Sequence, residues 1–217
     1  MKLTYFNIEA AAEKVRLALV LTSTPFEDVR IQFPEWGDMK TTTKYGVLPI
    51  MEVDGKEMHQ SMAQLRYAAS LGDGSLLPKV CAPPLLSGRL STSAPLSRHS
   101  QHCCSLPVCQ DPMDAYKVEL MVEMCNDFAA AWRPCLYISM RPHLYGYGDD
   151  FEGDLKTAKT KEMREKFIAE TLPVWMKYFS DALEEHGGAF AAGPTLTIAD
   201  CIWYPQLQYF TKGVADL

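Results

Sequence analysis

Leu48-Pro49-Ile50-Met51-Glu52-Val53-Asp54-Gly55-Lys56-Glu57-Met58-His59-Gln60-Ser61-Met62-Ala63 is the stretch that decides the fold. Leu48 to Val53 reads as a strand with a proline near its start, the position where a missing N–H does least harm. Asp54-Gly55 is a two-residue hairpin signal, because both residues tolerate positive φ. Lys56 to His59 is the returning strand. Ser61 is then suited to cap a helix over Met62 to Leu71. Upstream, Lys2 to Phe6 alternates and is rich in strand formers. Residues 10–22 carry apolar Val15, Ala18, Leu19 and Leu21 in a helix pattern. Phe26, Val29, Ile31 and Phe33 suggest a second strand, and Trp36 to Tyr45 a short helix or an irregular loop. The order β-α-β-α-β-β-α within residues 1–76 predicts a compact α/β domain with a mixed sheet.

Downstream the pattern becomes all-α. Asp111-Pro112-Met113-Asp114 is a helix start, with Asp as N-cap and Pro in the first turn. Met113, Tyr116, Leu120, Met124, Asp127 and Ala131 follow at helical spacing and form an apolar stripe on which Asp127 is the one charge. A second long helix is predicted over roughly 158–186, closed by Gly187-Gly188. Thr197-Ile198-Ala199-Asp200 opens a third as a variant capping box. Residues 111–217 thus form a helical domain, expected to be truncated after its last helix.

Residues 77–110 link the two. Within them, 80–110 contain no Asp, Glu, Phe, Tyr, Trp or Ile. Such a composition builds no core, and the segment is expected to be a disordered insert. Val80 requires a GTN codon and Gln110 can be CAG, the two ends of an intron, so a retained intron accounts for it. His99, His102, Cys103, Cys104 and Cys109 lack ordinary zinc spacing, and no metal is expected.

The net charge of −6 argues against nucleic acid or an anionic membrane as the main partner. No apolar run reaches the roughly 18 residues of a membrane span. The N-terminus meets Asn7 and Glu9 too early for a signal peptide, so the cytoplasm is the expected location. The seven cysteines include no Cys-x-x-Cys pair and do not read as a disulfide framework.

KLTYFN at 2–7, AEKVRLAL at 12–19, the strand-turn-strand at 48–63 and TIADC at 197–201 together resemble the cytosolic glutathione transferases. The specific likeness is to the sigma class, related to the glutathione-dependent prostaglandin D synthases. The resemblance implies a thioredoxin-like N-terminal domain, a helical C-terminal domain and a homodimer. It also implies that glutathione, as co-substrate, binds at the domain junction. Tyr5 would be catalytic: a hydroxyl that donates to sulfur stabilises the thiolate and lowers the thiol's pKa. Gln60 and Ser61 would hold the γ-glutamyl end, where helix N–H groups and the helix dipole favour an anion. Leu48 and a cis Pro49 would pair with the cysteinyl backbone. Trp36 and Lys40 match positions contacting the glycine end. Asp127 would reach across the dimer towards the α-amino group of glutathione on the other subunit. Phe6, Ile8, Ala129 and Trp132 would line the pocket for a small hydrophobic electrophile.

The implied reaction is conjugation of the glutathione thiolate, with isomerase or peroxidase side activity. Two alternatives stand beside it: a catalytically weak, crystallin-like structural relative, and a non-productive splice isoform. The departures from the family pattern bear on efficiency. The family usually has Arg-Gly-Arg-Ala-Glu where this chain has Glu9-Ala10-Ala11-Ala12-Glu13, so Ala11 replaces a cation expected to support the thiolate. Val47 likewise stands where Gln or Lys is common.

Overall fold

The computed structural model describes residues 1–78 and 111–211. The expected insert at 80–110, its reading as a retained intron and the expected truncation lie outside the described residues. The β-α-β-α-β-β-α order holds. Strands β1 (Lys2–Phe6), β2 (Glu27–Ile31), β3 (Ile50–Val53) and β4 (Lys56–Met58) form one sheet in the order β2-β1-β3-β4. β1 pairs parallel with β2 and antiparallel with β3, and β3 pairs antiparallel with β4. Helices α1 (Ala10–Leu21) and α3 (Ser61–Ala69) pack against each other. Ala12, Val15, Ala18 and Leu19 of α1 join Leu65, Ala68 and Ala69 of α3, with Leu3 and Met51 from the sheet, in the core.

Several boundaries differ from the sequence expectation: β3 begins at Ile50 and not at Leu48, and β4 ends at Met58 and not at His59. Phe33 ends no strand; it opens α2 (Phe33–Thr42). Gln32 and Glu35 form a capping box there, with the Gln32 N–H donating to Glu35 Oε2 at 2.6 Å, and a proline occupies the first turn. Local capping chemistry therefore outweighs the apolar alternation that made Phe33 look like strand. At α3 the N-cap is Gln60, and Ser61 is the first helical residue instead of the cap.

Among the described residues the helical half comprises α4 (Pro112–Met140), α5 (Gly153–Lys166), α6 (Leu172–His186) and α7 (Ile198–Thr211). Asp111 caps α4 by accepting from the Met113 N–H. The expected single helix over 158–186 is two, joined by a π-helical turn at Phe167–Thr171. Pro173 has no N–H to return to the preceding turn, so the ladder widens just before it. α6 ends on Gly187 at φ 64, as the glycine pair implied. Ahead of α7, Asp200 accepts from the Thr197 N–H at 2.9 Å and from the Ala191 N–H at 2.8 Å. The Ile198 N–H bonds to the Leu76 carbonyl, tying α7 back to the N-terminal domain.

The apolar stripe of α4 is not the one expected. The buried residues are Val118, Met121, Val122, Cys125, Phe128, Trp132, Cys135 and Ile138. Met113, Tyr116 and Asp127 are exposed. α4 carries two apolar stripes, and spacing alone cannot tell which one the core takes. The core takes the stripe with the aromatics, where Phe128 meets Phe167, Trp175, Phe179 and Phe210.

Asp200→Ala removes acceptors from two backbone N–H groups at once. It should lower unfolding free energy by about 2 kcal/mol in urea titration; an unchanged midpoint refutes the assignment. Burial pushes the thiols of Cys125 and Cys201 from the usual 9.0 up to about 12. Both are neutral in folded and unfolded chains below pH 9. Above it the unfolded chain releases protons that the folded one keeps, so stability should fall with rising pH. Each thiol contributes about 1.4 kcal/mol per pH unit between those limits. Cys125→Ala with Cys201→Ala should flatten that alkaline slope.

Candidate active site

Three backbone features converge on one edge of the sheet. The first is the end of β1, where Tyr5 is buried at 8% exposure. Its phenol oxygen accepts the Ala11 N–H at 3.3 Å, in the first turn of α1. The second is the Leu48-Pro49 turn, whose peptide bond is cis. Thr4 pairs with Ile50, and extending that antiparallel register sets Pro49 and Leu48 opposite Tyr5 and Phe6. The third is the N-terminus of α3, entered through Gln60 at φ 70. A non-glycine residue in this conformation is strained, and such strain persists where surrounding structure enforces it.

The side chains around this edge fall into place by element. Phe6 stacks on Phe33 with centroids 4.5 Å apart and meets the Trp36 ring edge-on at 6.2 Å. Trp36 and Lys40 sit one turn apart on α2, so they share a face. Ser61 is half-buried and Gln60 exposed at the start of α3. A cavity of about 340 Å³ opens beside Gln60, lined also by Lys44, Tyr45, Glu57 and His59. Ile8 is exposed, just past the end of β1.

Other expected site residues lie elsewhere. Asp127 is exposed on α4, within one subunit, and so lies outside the apolar stripe that the core takes. Trp132 does not present a free wall: at 4% exposure its ring packs between Phe167 and Phe210 in the aromatic core. Ala129 is half-buried on the same helix.

Two residues that the sequence reading passed over matter here. Gln64 is fully buried in α3, and its Nε2 donates to the Pro49 carbonyl at 2.9 Å and the Met58 carbonyl at 2.8 Å. One amide thus joins the cis turn, β4 and α3. Arg16 places its guanidinium 5.9 Å from the centre of the Tyr5 ring. It is held by Asp28, Glu13 and the Ile8 carbonyl. A polar residue in the middle of an apolar helix face was the signal in both cases.

Burial is the largest influence on the Tyr5 phenol and pushes its pKa up; the Ala11 N–H and the Arg16 cation pull it down, and Tyr137 adds to the rise. The net direction is upward, so the phenol is a protonated donor and not a base. Its oxygen accepts from Ala11, which leaves the O–H to donate.

Residues 1–70 match the model of the glutathione S-transferase N-terminal domain, and residues 151–216 match that of the C-terminal domain. The chain belongs to the glutathione S-transferase family. A glutathione S-transferase of Anopheles gambiae is 46% identical over 69 residues, which are 32% of this chain and 34% of that protein. That match spans only about a third of the relative's length. Glutathione S-transferase 1 of Ascaris suum is 28% identical over 215 residues, covering 99% of this chain and 82% of the relative. The structure of a prostaglandin synthase D from Nilaparvata lugens superposes with a TM-score of 0.67 at 26% identity, over 99% of this chain and 83% of that one. The thioredoxin-like glutathione S-transferase N-terminal domain and the helical C-terminal domain expected from sequence are both present.

Gln64→Leu keeps the packing volume but leaves the Pro49 and Met58 carbonyls without their donor. Unfolding free energy should drop by about 2 kcal/mol. Glutathione affinity, read by calorimetry, should weaken several-fold as the turn loses its tie. A variant that binds like the parent would separate the turn's position from Gln64.

Proposed function

We propose that this chain is a sigma-class glutathione transferase that joins the glutathione thiolate to small hydrophobic electrophiles. The observation that carries the reading is the Tyr5 phenol: it is buried, accepts from the Ala11 N–H, and keeps its O–H at the sheet edge beside the cis turn. Glutathione would lie along that edge. Its cysteinyl backbone pairs with Leu48, as an added strand would. Its γ-glutamyl carboxylate meets the N–H groups at the start of α3, with Gln60 and Ser61 adding donors. Trp36 and Lys40 receive the glycine end.

The chemistry then needs little more. A free thiol with a pKa of about 8.5 is mostly neutral at pH 7. The Tyr5 O–H favours the sulfur anion over the neutral thiol, and the thiolate attacks an electrophilic carbon held near Phe6 and Ile8. A thioether forms and the leaving group departs. Isomerisation of an endoperoxide or reduction of a hydroperoxide would use the same thiolate. No metal enters this scheme.

The second apolar stripe of α4 supports a homodimer. Met113 and Tyr116 are more than half exposed, and Asp127 lies on the same helix face. A second copy covering that face would bring its Asp127 towards the glutathione amino group.

Tyr5→Phe tests the mechanism. It should lower kcat/KM for 1-chloro-2,4-dinitrobenzene by roughly 10- to 100-fold while glutathione affinity holds, because a charge-assisted hydrogen bond of about 1.5–3 kcal/mol is lost. Since burial raises the pKa of Tyr5, the parent's rate should climb with pH through the thiol titration. It should show no fall from phenol ionisation below about pH 10. Equal rates for variant and parent would defeat the mechanism. Sedimentation should give a dimer, and Asp127→Ala should raise the KM for glutathione without changing kcat; a monomer with full affinity refutes the shared site.

A further inference from the structure

The cavity beside Gln60 is walled by Lys44, Tyr45, Glu57 and His59, none of which the transferase reading uses. Glu57 on β4 and His59 just past its end stand two residues apart, so they point to one face. Met58 between them packs against the core, and Gln64 Nε2 holds its carbonyl at 2.8 Å. The floor of the cavity is thereby fixed relative to the cis turn, which the same amide holds. The His59 side chain is only 5% exposed, and its ring meets the Tyr45 ring edge-on with centroids 4.8 Å apart. Lys44 places its ammonium 5.1 Å from the centre of the Tyr45 ring.

Two features suit this space to a charged, polar guest. Neither ring nitrogen of the buried His59 has a hydrogen-bond partner among the described residues; Nε2 lies 3.4 Å from Glu57 Oε2 without the alignment of a hydrogen bond. A buried polar group left unpaired is costly, and a guest that pairs with it recovers that cost. Lys44 and Glu57 carry opposite charges and line the same cavity, yet form no ion pair with each other. Opposite charges held apart in one cavity match the ammonium and carboxylate of an amino-acid head. At about 340 Å³ the cavity has room for one such residue.

Glutathione's own γ-glutamyl carboxylate goes to the N–H groups at the start of α3 and to Ser61, and Ser61 does not line the cavity. Gln60 borders both spaces, so the cavity adjoins that head. With the carboxylate engaged at α3, the amino group is the point from which the peptide can grow.

We propose that the cavity is a subsite for an additional γ-glutamyl residue, and that this chain accepts as nucleophile thiol peptides in which glutathione's amino group carries that residue. This rests on the transferase reading given above. A γ-linkage leaves the added residue's ammonium and carboxylate on one carbon. Glu57 receives the ammonium, Lys44 receives the carboxylate, the stem lies against the Tyr45 ring, and His59 pairs with the linking amide. That amide gives up the ammonium that Asp127 of a second copy would meet, and Glu57 supplies a carboxylate for the new head instead. The thiol stays beside Tyr5, so the chemistry at sulfur is unchanged.

Calorimetry on the full chain compares glutathione, γ-glutamyl-glutathione and N-acetyl-glutathione. The γ-glutamyl peptide should bind roughly 5-fold or more tightly than the acetyl peptide, which has the same amide without the charged head. In the double variant Lys44→Gln, Glu57→Gln that advantage should vanish, while glutathione affinity shifts by less than about 2-fold. Both side chains belong to exposed residues, so the variant should fold as the parent does. In turnover with 1-chloro-2,4-dinitrobenzene the advantage should appear in the KM for the thiol peptide and not in kcat. Equal affinity for the two amides, or a preference that survives in the double variant, shows that the cavity reads no charged head and overturns the proposal. Binding of glutathione with exclusion of both amides overturns it as well. A parent chain that does not bind glutathione overturns the transferase reading beneath, and this inference with it.

Discussion

One backbone N–H orients the phenol of the candidate site. Ala11 donates to the Tyr5 phenol, and once that oxygen accepts from the helix, the hydroxyl hydrogen is free for another partner. Burial decides the protonation state. It outweighs both the N–H and the Arg16 cation, although a full charge at 5.9 Å would be worth about 3 kcal/mol at an effective dielectric of 20. Arg16 is also shared with the Glu13 and Asp28 carboxylates, which reduces what the ring feels. The outcome is a phenol that stays protonated and oriented, the two properties a hydrogen-bond donor to sulfur requires.

That arrangement depends on the sheet and on two helix entrances. β1 carries Tyr5, and pairing with β3 brings the Leu48-Pro49 turn alongside it. α1 and α3 both start at this edge, and both are entered through strained residues, Ala10 at φ 37 and Gln60 at φ 70. Each such residue costs on the order of 1–3 kcal/mol. The core between α1 and α3 and the two hydrogen bonds of Gln64 offset that cost by fixing where each entrance lies.

The order of the first seven elements was legible in the sequence because each rests on local signals: alternation in Lys2–Phe6, Asp54-Gly55 at the hairpin, and the change to helical spacing at Ala10 and Ser61. The boundaries that slipped were those where two local signals compete. At Phe33 apolar alternation argued for strand, but in the structure Gln32 and Glu35 cap a helix there, with Pro34 in its first turn. On α4 the failure had a different origin. Both stripes are apolar, and only packing against α5, α6 and α7 selects the one with Phe128 and Trp132. Trp132 therefore belongs to the core. Gln64 and Arg16 were visible as polar interruptions of apolar faces. Glu13 stands at the i,i+3 helical spacing from Arg16, but the other partners, Asp28 and the carbonyls of Ile8, Pro49 and Met58, follow no helical spacing.

Position 11 illustrates the same limit from the opposite side. Read as a side chain, Ala11 is a loss, since the family usually places an arginine there to support the thiolate. In the folded chain the contribution of residue 11 to Tyr5 is its backbone N–H, which any residue except proline supplies. The cation near the phenol comes instead from Arg16, five residues further along the same helix and held in place by Glu13 and Asp28. On the transferase reading proposed above, the replacement removes a charge that would support the sulfur, while the Ala11 N–H still holds the phenol. Orientation of the phenol then depends on the backbone of α1, and additional charge stabilisation on side chains that can vary.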